Sequence, residues 1–118
     1  MRINEKLRQR CKAYASAIVR FYCWLPKKKE VEVLGHQLLR AGTSVAAHSR
    51  EASRARSDAE FCSKLDGLLQ EADESLLWLE LLQEDCHISG DQIEFLLQET
   101  NELIAIFVTI VSKSRSHD

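Results

Sequence analysis

Apolar residues recur every three or four positions along almost the whole chain, the spacing that gathers them on one face of an α-helix. Ile3, Leu7, Cys11, Tyr14, Ile18, Phe21 and Leu25 form the first such stripe and predict a helix over about residues 4–23. Asn4 is placed to cap it, and Pro26 disfavours helix at Leu25 and should end it. A second stripe of Leu34, Leu38, Ala41, Val45, His48 and Ala52 predicts a helix over about 30–53. Gly35, Gly42, Ala46 and Ala47 thin that helix. A glycine inside a helix costs about 1 kcal/mol relative to alanine, so two of them predict a neighbouring helix at close range. Ser57 followed by Glu60 reads as a capping box, with Asp58 in the first turn. The helix it opens, from about Asp58, carries Phe61, Leu65, Leu68, Ala72, Ser75, Leu79 and Leu82 on its stripe, widened by Leu69 and Leu76. Residues 86–90 read as a turn. The last helix, starting after Ser89 or Gly90, faces the core with Ile93, Leu96, Leu97, Thr100, Leu103, Ile104, Phe107, Ile110 and Val111. Residues 112–118 are polar and expected to fray.

Four helices with short connections predict an all-α fold, an antiparallel up-down-up-down four-helix bundle forming one domain over residues 1–118. Heptad spacing predicts shallow, left-handed crossings. Apolar surface is in excess at two places. Between Leu76 and Leu82 only Glu80 is polar, and Ala105, Ile106 and Val108 fall outside the core face of the last helix. A helix that is apolar all round is a buried one, so this surplus predicts self-association, with Leu77, Trp78, Leu81, Ile106 and Val108 at the contact.

Composition narrows the class without adding chemistry. The 118 residues are 45 % hydrophobic and 29 % charged, with one Pro and four Gly, which argues against loop-rich or β architecture. No basic-then-apolar leader opens the chain, and the longest apolar run, 103–111, is too short for a bilayer, which takes about 20 residues. A soluble, cytoplasmic protein with no membrane partner is expected. Cys11, Cys23, Cys62 and Cys86 show no CxxC pair and read as reduced thiols acting as small apolar groups. The net charge of −2 conceals a segregation: residues 1–56 hold 13 Lys/Arg against 4 Asp/Glu, residues 57–118 hold 3 against 14.

No nucleophile elbow, phosphate loop or zinc spacing occurs, so no catalytic residue, metal or cofactor is expected. His48 lies on a core stripe, but bundle di-metal sites use Glu-x-x-His pairs on two helices, and none occurs here. A hydrogen-bonded histidine near the core is the expectation. Arg2, Lys6, Arg8, Lys12 and Arg20 lie opposite the first apolar stripe, and at 100° per residue Arg2, Lys6 and Arg20 share a sector. Lys27, Lys28 and Lys29 follow, and Arg50, Arg54 and Arg56 end the second helix region. Three readings stand: a solvated face, pairing with acidic residues such as Glu71, Asp73, Glu74 and Glu80 within or between subunits, and phosphate binding driven by counterion release. Under the third, the residues expected to contact RNA or DNA phosphates are Arg2, Lys6, Arg20, Lys27, Lys28 and Lys29. Trp78 is expected to pack, and Trp24 is open between packing and base stacking.

The run Gln37-Leu38-Leu39-Arg40-Ala41-Gly42-Thr43-Ser44-Val45-Ala46-Ala47, then Arg50-Glu51-Ala52, resembles the second helix of the 23S rRNA intervening-sequence protein family. Ser57, Phe61, Lys64, Glu71-Ala72-Asp73-Glu74-Ser75 and Trp78-Leu79-Glu80-Leu81-Leu82 resemble its third. The likeness extends over about residues 10–112 and departs at His48, where the family often has Asn. It implies a homo-oligomeric bundle, commonly a five-membered ring, with no established enzymatic activity. Similar bundles are accessory proteins of diversity-generating retroelements, so the resemblance also implies nucleic acid and a reverse transcriptase or another protein as partners.

Overall fold

The computed structural model describes residues 3–115. Four helices follow one another: α1 (Glu5–Trp24), α2 (Lys29–Ser53), α3 (Asp58–Glu84) and α4 (Asp91–Arg115). Their ends obey local chemistry. The Leu7 N–H donates to Asn4 Oδ1 at 2.8 Å, and the Glu60 N–H donates to Ser57 Oγ at 3.0 Å, so both expected caps are in place. Leu25, just before Pro26, closes α1 by donating to the Phe21 and Tyr22 carbonyls. α2 begins one residue earlier than expected, at Lys29, after an N-cap Lys28 whose side chain caps nothing. The α3–α4 turn is tighter than its residue types announce, since His87 as well as Gly90 adopts positive φ, at 59° and 119°. α4 continues to Arg115, so the expected fraying does not hold for 112–115; residues 116–118 lie outside the described residues.

The helices pack in sequence order around one core, α2 between α1 and α3, and α3 between α2 and α4. α1 returns beside α4 through the thinnest of the four seams. The result is an elongated bundle of 47 × 21 × 20 Å, its length set by α3, whose 27 residues rise about 1.5 Å each. Ile18, Phe21, Leu38, Val45, Phe61, Leu65, Leu68, Leu79, Leu82, Ile93, Leu96 and Phe107 fill the interior. α4 is long and apolar enough by composition to cross a bilayer. Here its Ile93, Leu96, Thr100, Leu103, Phe107 and Val111 are buried in the bundle as one stripe of the helix.

The glycines of α2 do what the sequence reading requires of them. A Cβ at Gly42 would sit 2.9 Å from Ile18 Cγ1, and one at Gly35 would sit 2.9 Å from Leu25 Cδ1. Both distances are closer than packed atoms tolerate, so α1 rests directly on the α2 backbone. Gly67 plays the same part on α3, where a Cβ would lie 3.1 Å from His48 Cε1. His48 is therefore a seam residue, 27 % exposed on its side chain, and not the hydrogen-bonded core histidine expected. Its Nδ1 stands 3.4 Å from Glu51 Oε1 and has no hydrogen-bond partner. Ser49 takes the buried position at that level instead.

A polar layer crosses the core. Thr100 Oγ1 donates to the Leu96 carbonyl at 2.6 Å and so accepts from the Tyr14 hydroxyl, also at 2.6 Å. Burial pushes the Tyr14 phenol up, opposed by hydrogen bonding to Thr100 and Ser75. This layer joins α1, α3 and α4 at the thin side of the bundle. The thiols divide rather than acting alike. Cys11 and Cys62 are buried, Cys86 is half-buried and Cys23 is exposed. Desolvation pushes the Cys11 thiol up to about 11.

Gly42→Val is expected to destabilise the bundle by about 1–3 kcal/mol through overpacking against Ile18, read as a lower urea midpoint at unchanged m-value. Thiol alkylation of the native protein at pH 8 should modify Cys23 first and leave Cys11 unmodified until denaturant is added. Equal rates at the two would contradict the burial of Cys11.

Candidate nucleic-acid interface

Helix α1 carries cations on both of its flanks, and the heptad places them. Arg10 is on the flank facing α4: its guanidinium donates to Glu99 Oε2 and Oε1 and to Glu102 Oε1, each at 2.8 Å. Gln98 and Arg10 together hold the Glu102 carboxyl below the usual carboxylate range, and the two carboxylates push the Arg10 guanidinium up. Arg40 of α2 reaches Glu71 and Glu74 of α3 at 3.4 and 3.1 Å. The basic and acidic halves of the chain thus meet within one molecule at two seams. Lys64–Glu51 at 3.2 Å and Arg115–Asp66 tie the other helix ends.

The remaining cations of the first half are not neutralised in this way. Lys6, Arg20, Lys27, Lys28 and Lys29 are exposed and make no ion pair among the described residues. Arg2, the sixth expected contact, lies outside the described residues. Lys6 and Arg20 share the α4-facing flank, as their 100° spacing predicts, but 14 residues of helix set them about 21 Å apart. Arg20 therefore groups with the opposite end of the bundle, beside Trp24 and the Lys27–Lys28–Lys29 connection. Trp24 is 54 % exposed and stacks on Phe21 with ring centroids 5.9 Å apart. Next to Arg20 the thin α1–α4 seam opens into an apolar cavity of about 260 Å³ rimmed by Ala17, Gln92 and Phe95.

The structure also builds a basic site that the chosen residues do not include. Arg8 and Lys12 of α1 converge with Arg50 and Arg54 of α2 around a groove of about 190 Å³, with Glu5 and Gln9 completing its walls. None of the four cations makes an ion pair among the described residues. Arg8 Nε is buried and meets no acceptor. The signal was present in the sequence as two i,i+4 basic pairs, but only the antiparallel pairing of α1 with α2 sets the end of one helix beside the start of the other.

The residues expected at a self-association contact fall on separate flanks. Trp78 follows Glu71 by seven residues and Leu81 follows Glu74 by seven, so both lie on the α2-facing side of α3, half-buried. The same offset from Arg40 brings Val33, 57 % exposed, opposite Leu81, and Leu77, 46 % exposed, borders them. Ile106 follows Glu99 by seven and lies toward α1, whereas Val108 precedes Arg115 by seven and lies toward α3. One apolar patch of Val33, Leu77, Trp78 and Leu81 results, with Ile106 and Val108 apart from it. Trp78 packs against the core cluster, with its Nε1 buried and without a partner among the described residues. Among the described residues no group of three or more His, Cys, Asp or Glu could hold a metal ion.

Similarity to known proteins accords with this architecture. No curated protein matches the chain. A crystal structure of a protein of unknown function from the S23 ribosomal protein family of Bacteroides thetaiotaomicron VPI-5482 superposes with a TM-score of 0.81 at 35 % identity, covering 88 % of this chain and 96 % of that one. The family model described as 23S rRNA-intervening sequence protein matches residues 4–109, from the Asn4 cap through all but the last turns of α4. The chain therefore belongs to the 23S rRNA-intervening sequence protein family.

Proposed function

We propose that this protein is a non-enzymatic, self-assembling interaction protein, a ring of five bundles, that acts as an accessory factor for RNA or DNA and for a protein that works on it, such as a reverse transcriptase. The observation that carries the reading is the unpaired basic half. After Arg10 and Arg40 are neutralised within the chain, Lys6, Arg20, Lys27, Lys28 and Lys29 remain exposed with no carboxylate partner among the described residues, and the exposed Trp24 stands among the last four. Cations release the counterions of a phosphate backbone, and exposed aromatics stack on bases. Assembly multiplies a modest charge by the number of copies. The Val33–Leu77–Trp78–Leu81 patch supports self-association, since monomers rarely leave such surface uncovered.

A second reading has its own support. The Arg10–Glu99/Glu102 and Arg40–Glu71/Glu74 pairs show the two charged halves meeting inside one chain, and the same complementarity between chains would make a purely structural oligomer with no nucleic-acid role.

Light scattering with and without RNA, at two salt concentrations, separates them. The first reading expects a particle of about 68 kDa, five times the 13.5 kDa chain, that persists in high salt and binds RNA only at low salt. Changing Lys27, Lys28 and Lys29 to Glu should weaken that binding at least about ten-fold while leaving the particle mass unchanged. A particle that dissociates in high salt and ignores RNA would establish the structural oligomer instead.

A further inference from the structure

The groove between α1 and α2 is chemically unlike the lysine-rich end of the bundle. We infer that Arg8, Lys12, Arg50 and Arg54 form a discrete oxyanion site for the phosphate groups of a nucleic acid, read without regard to base. This rests on the proposed nucleic-acid role and assigns it a second, separate contact.

Arg8 and Lys12 sit one turn apart on α1, and Arg50 and Arg54 sit one turn apart on α2, so four positive charges share one groove of about 190 Å³. Glu5 is the only acidic residue on its walls and pairs with none of them within ion-pair distance. Arg10, Arg40 and Arg115, by contrast, each find a carboxylate across a seam. Like charges gathered without that compensation favour an added anion.

Arg8 also brings a desolvated donor. Arg8 Nε is shielded from solvent yet has no acceptor among the described residues. A buried N–H left unpaired carries a penalty that an incoming oxygen removes. Guanidinium groups present their N–H donors in a planar fork that matches phosphate oxygens, and three of the four cations here are arginines. The C-terminal end of α2 favours positive charge, which helps keep Arg50 and Arg54 in place without a ligand.

The groove offers a base nothing to stack on. Its walls are Glu5, Arg8, Gln9, Lys12, Arg50 and Arg54, with no aromatic ring on which a base could stack. Phosphate contacts position a nucleic acid, whereas base contacts specify its sequence. The groove therefore supplies affinity and register, and any preference among bases falls to the Trp24 end, about 24 Å away along α1 at 1.5 Å per residue from Arg8.

The full-length protein is tested by fluorescence anisotropy with labelled single-stranded RNA of mixed and of homopolymeric sequence, over a salt series. Arg50→Gln with Arg54→Gln, both exposed positions, should weaken binding about ten-fold or more at low salt, equally for every sequence, and reduce the salt dependence by about one to two ions. The melting temperature should stay unchanged. In parallel, the Arg8 Nε–H resonance is followed by NMR while RNA or inorganic pyrophosphate is added. A shift with RNA that millimolar pyrophosphate cannot displace supports a polynucleotide site. A shift with pyrophosphate alone keeps the oxyanion site but overturns the nucleic-acid source. If the Arg50/Arg54 variant binds RNA as tightly as wild type while the Lys27/Lys28/Lys29 variant does not, the groove assignment fails and the accessory role stands. If no RNA binds and the Arg8 resonance is unmoved by either probe, both fail.

Discussion

The close approach of α1 to α2 is the constraint on which the rest of this bundle depends. Gly35 and Gly42 leave the α2 backbone bare where Leu25 and Ile18 press on it, and Gly67 does the same for His48 at the α2–α3 seam. Each glycine sacrifices helix propensity, about 1 kcal/mol, and the lost side chain is replaced by the packed atoms of a neighbouring helix. α2 thereby becomes the spine, in tight register with a helix on either side. The tight register places the start of α1 against the end of α2, which brings Arg8 and Lys12 beside Arg50 and Arg54. Without the glycines the seam would widen and the four cations would have no common groove.

Closing the bundle on its far side is a different kind of interaction. α1 and α4 meet along the thinnest seam, and polar contacts join it. Tyr14 donates to Thr100 inside the core, while Arg10 forks onto Glu99 and Glu102 at the rim. Hydrogen bonds are directional where apolar contacts are not, so these pairs fix the height at which α4 lies against α1 more sharply than a leucine seam would. The same seam leaves an apolar cavity beside Arg20 and Phe95, because Ala17 is too small to fill the space between the helices.

Charge segregation acquires a meaning once the seams are known. Part of it is internal: Arg10 and Arg40 from the basic half answer carboxylates of the acidic half, and this helps hold helices in register. What remains is a set of cations at two ends of the molecule, one with an exposed indole and one without any aromatic. An extended polyanion can engage both at once, and a compact one cannot. The apolar patch of Val33, Leu77, Trp78 and Leu81 occupies the α2–α3 flank, away from the α1–α2 groove, so assembly through the patch and anion binding in the groove are compatible.

The heptad pattern and the short connections between its stripes determined the four helices, their caps at Asn4 and Ser57, the antiparallel order and the reason for Gly35 and Gly42, because these depend on neighbours three or four residues apart, on loop length or on the cost of a residue type within its own helix. The family was legible too, in the small-residue run of α2 and the Trp78–Leu82 end of α3. What only the tertiary structure decided is which flanks face one another. His48 follows a core spacing yet sits on the seam, because α2 is turned so that Ser49, about 100° further round the helix, points into the core instead. Val33 attracts no notice until Arg40–Glu74 sets the register that puts it opposite Leu81. Lys6 and Arg20 share a sector but not a location, since periodicity fixes angle and leaves axial distance to the partner helix. Arg8, Lys12, Arg50 and Arg54 are two ordinary basic pairs in the sequence. They become one site only because the start of α1 and the end of α2, far apart along the chain, are held in contact by the absence of two side chains.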